Sequence, residues 1–264
     1  MLADDVAAPR GVEVRLEPLA APCPPARHRA DLGPGESWYA AARALVAERL
    51  PELSSWWLLP EDLGGPWKRF VLVEHPGLSF RPLTRGDLPD LIRWQSAPHV
   101  APWWHDGARD RAAAEDRYLP IVAGEDRTTE VWVAEVHGRS VGIVQAYRIA
   151  DHPDWALLTA RPDAVGWDYL IGEQAFVGRG LGTRLLAVFL DAWLRRVGRE
   201  AGGVAEVFAA PDHRNLASLR VLDKLGFRRG LWFDAPGPTG ATRTVVGCSL
   251  DVSTVHGALG ATSQ

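Results

Sequence analysis

The segment Val177-Gly178-Arg179-Gly180-Leu181-Gly182-Thr183 sets three glycines at every second position, just ahead of an apolar run carrying Leu185, Leu186, Val188 and Phe189. Glycines let backbone approach a ligand closely, and a helix opening behind them adds free amides and the positive end of its dipole. The turn is therefore built as a seat for an anion such as phosphate, although a glycine turn before a helix is more often only a turn. Of the twelve tryptophans, two pairs (Trp56-Trp57, Trp103-Trp104) and two neighbours of acids (Trp155, Trp167) stand out. Each is a core candidate, and Trp103, Trp104 and Trp155 are also candidates to wall a sugar ring. His99 and His105 bracket one pair, but no second histidine lies at metal-ligand spacing, so no metal is expected. Cys23 and Cys248 occur in unrelated contexts and make neither a disulfide framework nor a metal cluster.

The elements that position these residues follow from hydrophobic period and punctuation. After residues 1–35, rich in Ala, Pro and Gly, with Val12 to Leu19 as an edge strand, comes a helix over Glu36 to Leu50. Leu58 to Trp67, with two prolines and two glycines, reads as a loop, and Arg69 to Glu74 as a strand. From Phe80 the pattern becomes β, α, α, β, β, β, α, β, α, β, β, with strands at Glu130 to Val136, Ser140 to Ile149, Ala164 to Ile171, Val204 to Ala209, Phe227 to Phe233 and Thr242 to Leu250. Its helices are a capped one through Trp94, Ala108 to Val122, Leu181 to Val197, and Asn215 to Leu225 closed by Gly226. Expected organisation is an N-terminal appendage over 1–77, an α/β (α+β) domain over 78–252 and a flexible tail over 253–264.

Bulk properties narrow the function classes. The chain has 264 residues, enough for a complete enzyme core, and a formal charge of -4 with its Lys and Arg scattered, which argues against nucleic acid. No apolar run nears the roughly 20 residues of a membrane span, and Asp4 and Asp5 stand where a secretory signal would be basic. A small, cationic partner and a cytoplasmic location are expected.

About 35 residues beyond the glycine turn lies Asn215-Leu-Ala-Ser-Leu-Arg-Val-Leu-Asp-Lys-Leu-Gly-Phe227, and the two segments at this spacing resemble the GNAT superfamily of N-acetyltransferases. The resemblance spans Leu78 to Val252. It implies a mixed, mostly antiparallel sheet splayed between its fourth and fifth strands, flanked by helices, with acetyl-CoA as cosubstrate. Gly178, Arg179, Gly180, Gly182 and Thr183, with Val177, would present amides to the pyrophosphate, Asn215 would join them, and the pantetheine arm would follow Tyr169, Leu170 and Ile171. The chain departs from the pattern at Val177, where many members have Gln or Arg. It departs again at Leu222, where many have the Tyr that protonates the departing thiolate.

Within the superfamily the sequence is similar to aminoglycoside 6'-N-acetyltransferases and to acyltransferases of siderophore assembly. Arg93-Trp94, Pro98-His99-Val100, Trp103-Trp104, Tyr118-Leu119-Pro120 and Val141 to Tyr147 carry that likeness. Gly166-Trp167-Asp168 matches the Gly-x-Asp of the aminoglycoside branch, and Asp154-Trp155 is a second acidic match. An amine is mostly ammonium at neutral pH and must lose a proton before it attacks a thioester. Asp168 is the expected base, with Asp154 and Asp212 holding other amines of a polycation, and a backbone amide near Leu170 or Ile171 meeting the oxyanion. The alternative is that Asp168 satisfies backbone amides and Asp154 begins a turn with Pro153. The implied activity is direct transfer of acetyl to a primary amine of an aminoglycoside-like molecule, by a monomer or homodimer. A hydroxylamine siderophore precursor is the rival acceptor, and a non-catalytic acyl-CoA-binding module the rival class.

Overall fold

The computed structural model describes residues 10–16, 27–32, 38–49, 57–62, 66–73, 77–104, 107–197, 205–236 and 242–252. Cys23, Trp56, His105 and the expected tail 253–264 lie outside them. The N-terminal part carries β1 (Gly11–Leu16), β2 (Arg27–Asp31), α1 (Trp38–Arg49), β3 (Trp57–Asp62) and β4 (Trp67–Val73), whose strands form one sheet in the order β2-β1-β4-β3. Here the segment expected as an edge strand is interior. Both faces of β1 are covered: Val12 and Val14 join the core with Ala41, Ala42 and Leu45 of α1, while Glu13 is buried among Arg27, Arg29 and Arg69 at 3.7, 2.5 and 3.8 Å. The stretch expected as a loop from Leu58 contains β3 instead. β3 lies at the sheet's edge, where Pro60 costs no ladder bond, and a register shift between Pro60 and Asp62 absorbs it. β2 had no expected counterpart.

The rest of the chain follows the expected alternation: β5 (Leu78–Pro82), α2 (Leu88–Gln95), α3 (Arg111–Ala123), β6 (Thr129–Val136), β7 (Arg139–Arg148), α4 (Pro153–Thr159), β8 (Val165–Ile171), α5 (Leu181–Val197), β9 (Glu206–Ala209), α6 (Leu216–Lys224), β10 (Arg228–Pro236) and β11 (Thr242–Asp251). Local chemistry sets several ends. Asp110 caps α3 by accepting from the Ala113 amide at 2.9 Å, and Asn215 caps α6 by accepting from the Ser218 amide at 3.1 Å. α4 was not expected. Pro153 opens it as a first-turn proline, so the Pro153-Asp154 pair starts a helix rather than a plain turn.

These seven strands form a second sheet, ordered β10-β11-β9-β8-β7-β6-β5 and antiparallel except between β8 and β9. That parallel pair holds only at Val165↔Val207 and Gly166↔Phe208. Beyond it the fourth and fifth strands of the sheet part, which is the expected splay. α5 lies between the two sheets and is buried without interruption from Leu185 to Asp191. Trp167 of β8 meets Phe189 and Trp193 edge-on, while Leu59 and Val71 of the N-terminal sheet pack on Val188. A helix apolar on every side requires such double cover. The buried ion pair of Arg43 with Asp191 and a Tyr39 hydroxyl donating to the Ala187 carbonyl at 3.4 Å fasten α1 to it.

Candidate active site

The glycine turn joins the end of β8 to the start of α5. Gly178 and Gly180 take φ of 75° and 78°, in the left-handed region that L side chains avoid, and a Cβ at either would meet nothing within 4 Å. The backbone there is open to approach from outside. Gly182 has a different task, since its Cβ would lie 3.3 Å from Val221 Cγ2, so this glycine lets α5 and α6 close on each other. Upstream, the strand end is pinned. A Cβ at Gly172 would sit 1.9 Å from Trp94 Cγ, and Glu173 accepts from Arg93 at 2.6 Å and from the Trp94 indole at 3.1 Å. Arg93 and the indole hold the Glu173 carboxyl below its usual range.

A cleft of about 300 Å³ opens at this turn. Tyr169, Leu170 and Ile171 form one wall; Val177, Gly178, Gly180, Gly182 and Thr183 form its end. Asn215 and Ser218 face them from α6, with Arg220 and Lys224 adding positive charge at the wall. Of the expected coenzyme residues only Arg179 is not among the lining, and it is exposed. His99 had no expected role at this site; its ring Nε2–H reaches the Ile171 carbonyl at 2.9 Å, and it too lines the cleft. Open glycine backbone, a helix start and two cations fit a pyrophosphate, and the long wall along β8 fits an extended arm.

Where β8 and β9 part, a gap of about 90 Å³ continues from this cleft, lined by Asp168, Tyr169, Ser218 and the buried Leu222. Tyr169 and Ser218 hydrogen-bond each other, and burial pushes the Tyr169 phenol up to about 12, so it stays protonated at neutral pH. Beyond the gap lies a second cleft of about 280 Å³. Alternation along β8 explains the Gly166-Trp167-Asp168 spacing. Gly166 makes room for the Tyr147 ring, 2.3 Å from where a Cβ would be, Trp167 turns into the core, and Asp168 lines both the gap and the second cleft. Gln145, its partner across β7, is buried beside Tyr118, whose hydroxyl also accepts from Gln95 at 2.7 Å.

Trp103 and Trp104 line all three spaces, and Trp155, tilted against Phe233 at 5.9 Å, walls the second cleft. The other two acids are elsewhere. Asp154 is exposed in the first turn of α4 and lines none of these spaces. Asp212 borders the gap, but Arg214 occupies its carboxylate at 2.9 and 2.8 Å and holds the carboxyl down to about 2. Arg117, His152 and Arg243 also wall the second cleft. They come from α3, the start of α4 and β11, and no local sequence signal groups them. Among the described residues no group of His, Cys, Asp and Glu could hold a metal ion, and no helix is long and apolar enough to cross a membrane.

A sheet split over a glycine turn at a helix start, with a cleft along the parted strand that a gap joins to a second one, is the arrangement of a GNAT-type acyltransferase. Residues 84–235 match the model of the Acetyltransferase (GNAT) domain, and the chain belongs to that family. It is 26% identical over 162 residues to an aminoglycoside N(6')-acetyltransferase type 1 of Klebsiella pneumoniae, covering 60% of this chain and 78% of that protein. An N-hydroxyputrescine acetyltransferase of Acinetobacter baumannii is 27% identical over 94 residues, 36% of this chain and 43% of that one. Structures of the aminoglycoside acetyltransferase AAC(6')-Ib are similar. One in complex with coenzyme A has a TM-score of 0.56 at 26% identity, over 68% of this chain and 97% of its own.

Proposed function

We propose that this protein transfers acetyl from acetyl-CoA to a primary amine of a small molecule, directly, with Asp168 as the base. Acetyl-CoA supplies the activated acyl group as a thioester. The observation that carries the reading is the position of Asp168: it lines the second cleft and the gap leading to the glycine turn, and no other carboxylate among the described residues lines that cleft. A carboxylate there holds an incoming ammonium and takes its proton, so that a C–N bond forms as the thioester C–S bond breaks. Trp103 and Trp104, bordering both clefts, exclude water between them. Leu222 offers no proton at its position, but Ser218 sits one turn earlier on the same helix and holds the Tyr169 phenol at the gap. That protonated phenol offers a hydrogen bond to negative charge developing there.

The named relatives support an amine acceptor, and aminoglycosides are the class that most of them carry in their names. Two findings weigh against a polycation: of three expected acids only Asp168 faces the second cleft, and two arginines share that cleft with it. The test is thiol release from acetyl-CoA against aminoglycosides, hydroxylamines and simple amines, beside Asp168→Asn. Turnover that collapses in the variant supports the reading. Coenzyme binding with no turnover on any amine overturns it in favour of a non-catalytic binding module.

A further inference from the structure

The second cleft is walled by more cations than anions. Arg117 and Arg243 bring two positive charges to its wall against the one carboxylate of Asp168. Arg243 is the telling residue. It is half-buried, its Nε is buried without a hydrogen-bond partner, and among the described residues it pairs with no carboxylate. A guanidinium withdrawn from water without a counter-charge is costly, because desolvation is not offset by an ion pair. A guanidinium only donates, so a group that pairs with Arg243 must bring lone pairs. Asp168, at the other side of the cleft where the gap begins, is the acceptor-only group that suits an ammonium.

We infer that the acceptor is an amine whose far end carries an anionic oxygen group, carboxylate or phosphate-like, with the amine directed to Asp168 and the anion to Arg243. This rests on the reading of the second cleft as the acceptor site. An amino acid with its reactive amine on the side chain has that chemistry; a polycation lacks it. Arg243, on β11, reaches the same cleft as Asp168 because β11 pairs with β9, the strand that parts from β8.

The experiment uses the full chain and acceptors of equal length: an ω-amino acid, the matching ω-aminoalkyl phosphonate and the matching diamine. Two readouts are taken, thiol release with acetyl-CoA and quenching of tryptophan fluorescence without it, since Trp103, Trp104 and Trp155 line the cleft. The ω-amino acid or the phosphonate is expected to bind and turn over at least about tenfold better than the diamine, and which of the two wins identifies the anion. Arg243→Gln should erase the preference, weakening the anionic acceptor roughly tenfold to a hundredfold. Arg243→Glu should reverse it, and Arg243→Lys should retain part of it, which separates a charge effect from misfolding. A wild-type preference for the diamine, or an unchanged preference in Arg243→Gln, overturns the inference while leaving acetyl transfer standing. Binding of the anionic acceptor with no thiol release supports the inference and overturns the proposed reaction instead.

Discussion

The cleft at the glycine turn and the cleft beyond the gap are built on different principles. The one at the glycine turn draws on one stretch of chain, Tyr169 through Thr183, whose glycines leave backbone open, with His99 to Trp104 and one face of α6 closing it. The other is made of side chains from α3, β6, β7, α4, β8 and β11, brought together only by the folded sheet. A site made of backbone needs particular φ values, and glycine is the residue that supplies them, so it leaves a local mark in the sequence. A site made of side chains from six elements leaves none.

The sharpest way to separate the clefts is Asp168→Asn. Transfer should fall between about a hundredfold and ten-thousandfold, as expected for loss of a general base, with coenzyme affinity by calorimetry unchanged. A matching loss of coenzyme affinity would merge the two clefts. Gly180→Val makes the reciprocal break. A β-branched residue at φ of 78° is strained by about 1–3 kcal/mol, so coenzyme affinity should drop roughly tenfold to a hundredfold while acceptor quenching of tryptophan fluorescence stays as in the wild type.

Asp212→Asn tests whether the carboxylate at the gap is structural. Loss of its charged bonds to Arg214 should cost on the order of 1–3 kcal/mol in urea unfolding at neutral pH, with little change in acceptor KM. The Asp212 carboxyl is held down to about 2 in the fold, so its contribution is complete above its ordinary value of 3.8 and is lost as pH falls through about 2. The difference between wild type and variant should narrow over that window. A rise in KM at neutral pH would instead return Asp212 to acceptor binding. The smallest effect is expected for Asp154→Ala, exposed on α4: within about 0.5 kcal/mol in stability and no change in KM for any amine.

Most elements from Leu78 onward were legible, because the strands alternate or run apolar and the helices carry caps that read locally, such as Asp110 and Asn215. The turn at Gly178 to Gly182 was legible for the reason already given. Reading failed where tertiary context outweighs local signals. Pro60 and its neighbouring glycines suggest a loop, yet at a sheet edge a proline is harmless and β3 forms. Val12 and Val14 alternate as an edge strand would, and only the folded chain shows that arginines cover the opposite face around Glu13. Of the residues that line the second cleft, Trp103, Trp104, Trp155 and Asp168 stood out in the sequence, whereas Arg117, His152 and Arg243 did not. Each is an ordinary residue of its own element, and their common purpose exists only once β8 and β9 have parted.

The helix that starts at the glycine turn belongs equally to two sheets. Its outer side is sealed by Leu59, Val71 and the Arg43–Asp191 pair, its inner side by Trp167 and the strands around it. The N-terminal stretch is therefore ballast rather than ornament: cut the chain at residue 78, and the backbone of α5 would remain while one flank of it met water and Asp191 lost its pairing with Arg43. For anyone trimming this protein to a minimal catalyst, the shortest version expected to keep the turn in place begins upstream of residue 78, ahead of the stretch that matches the family.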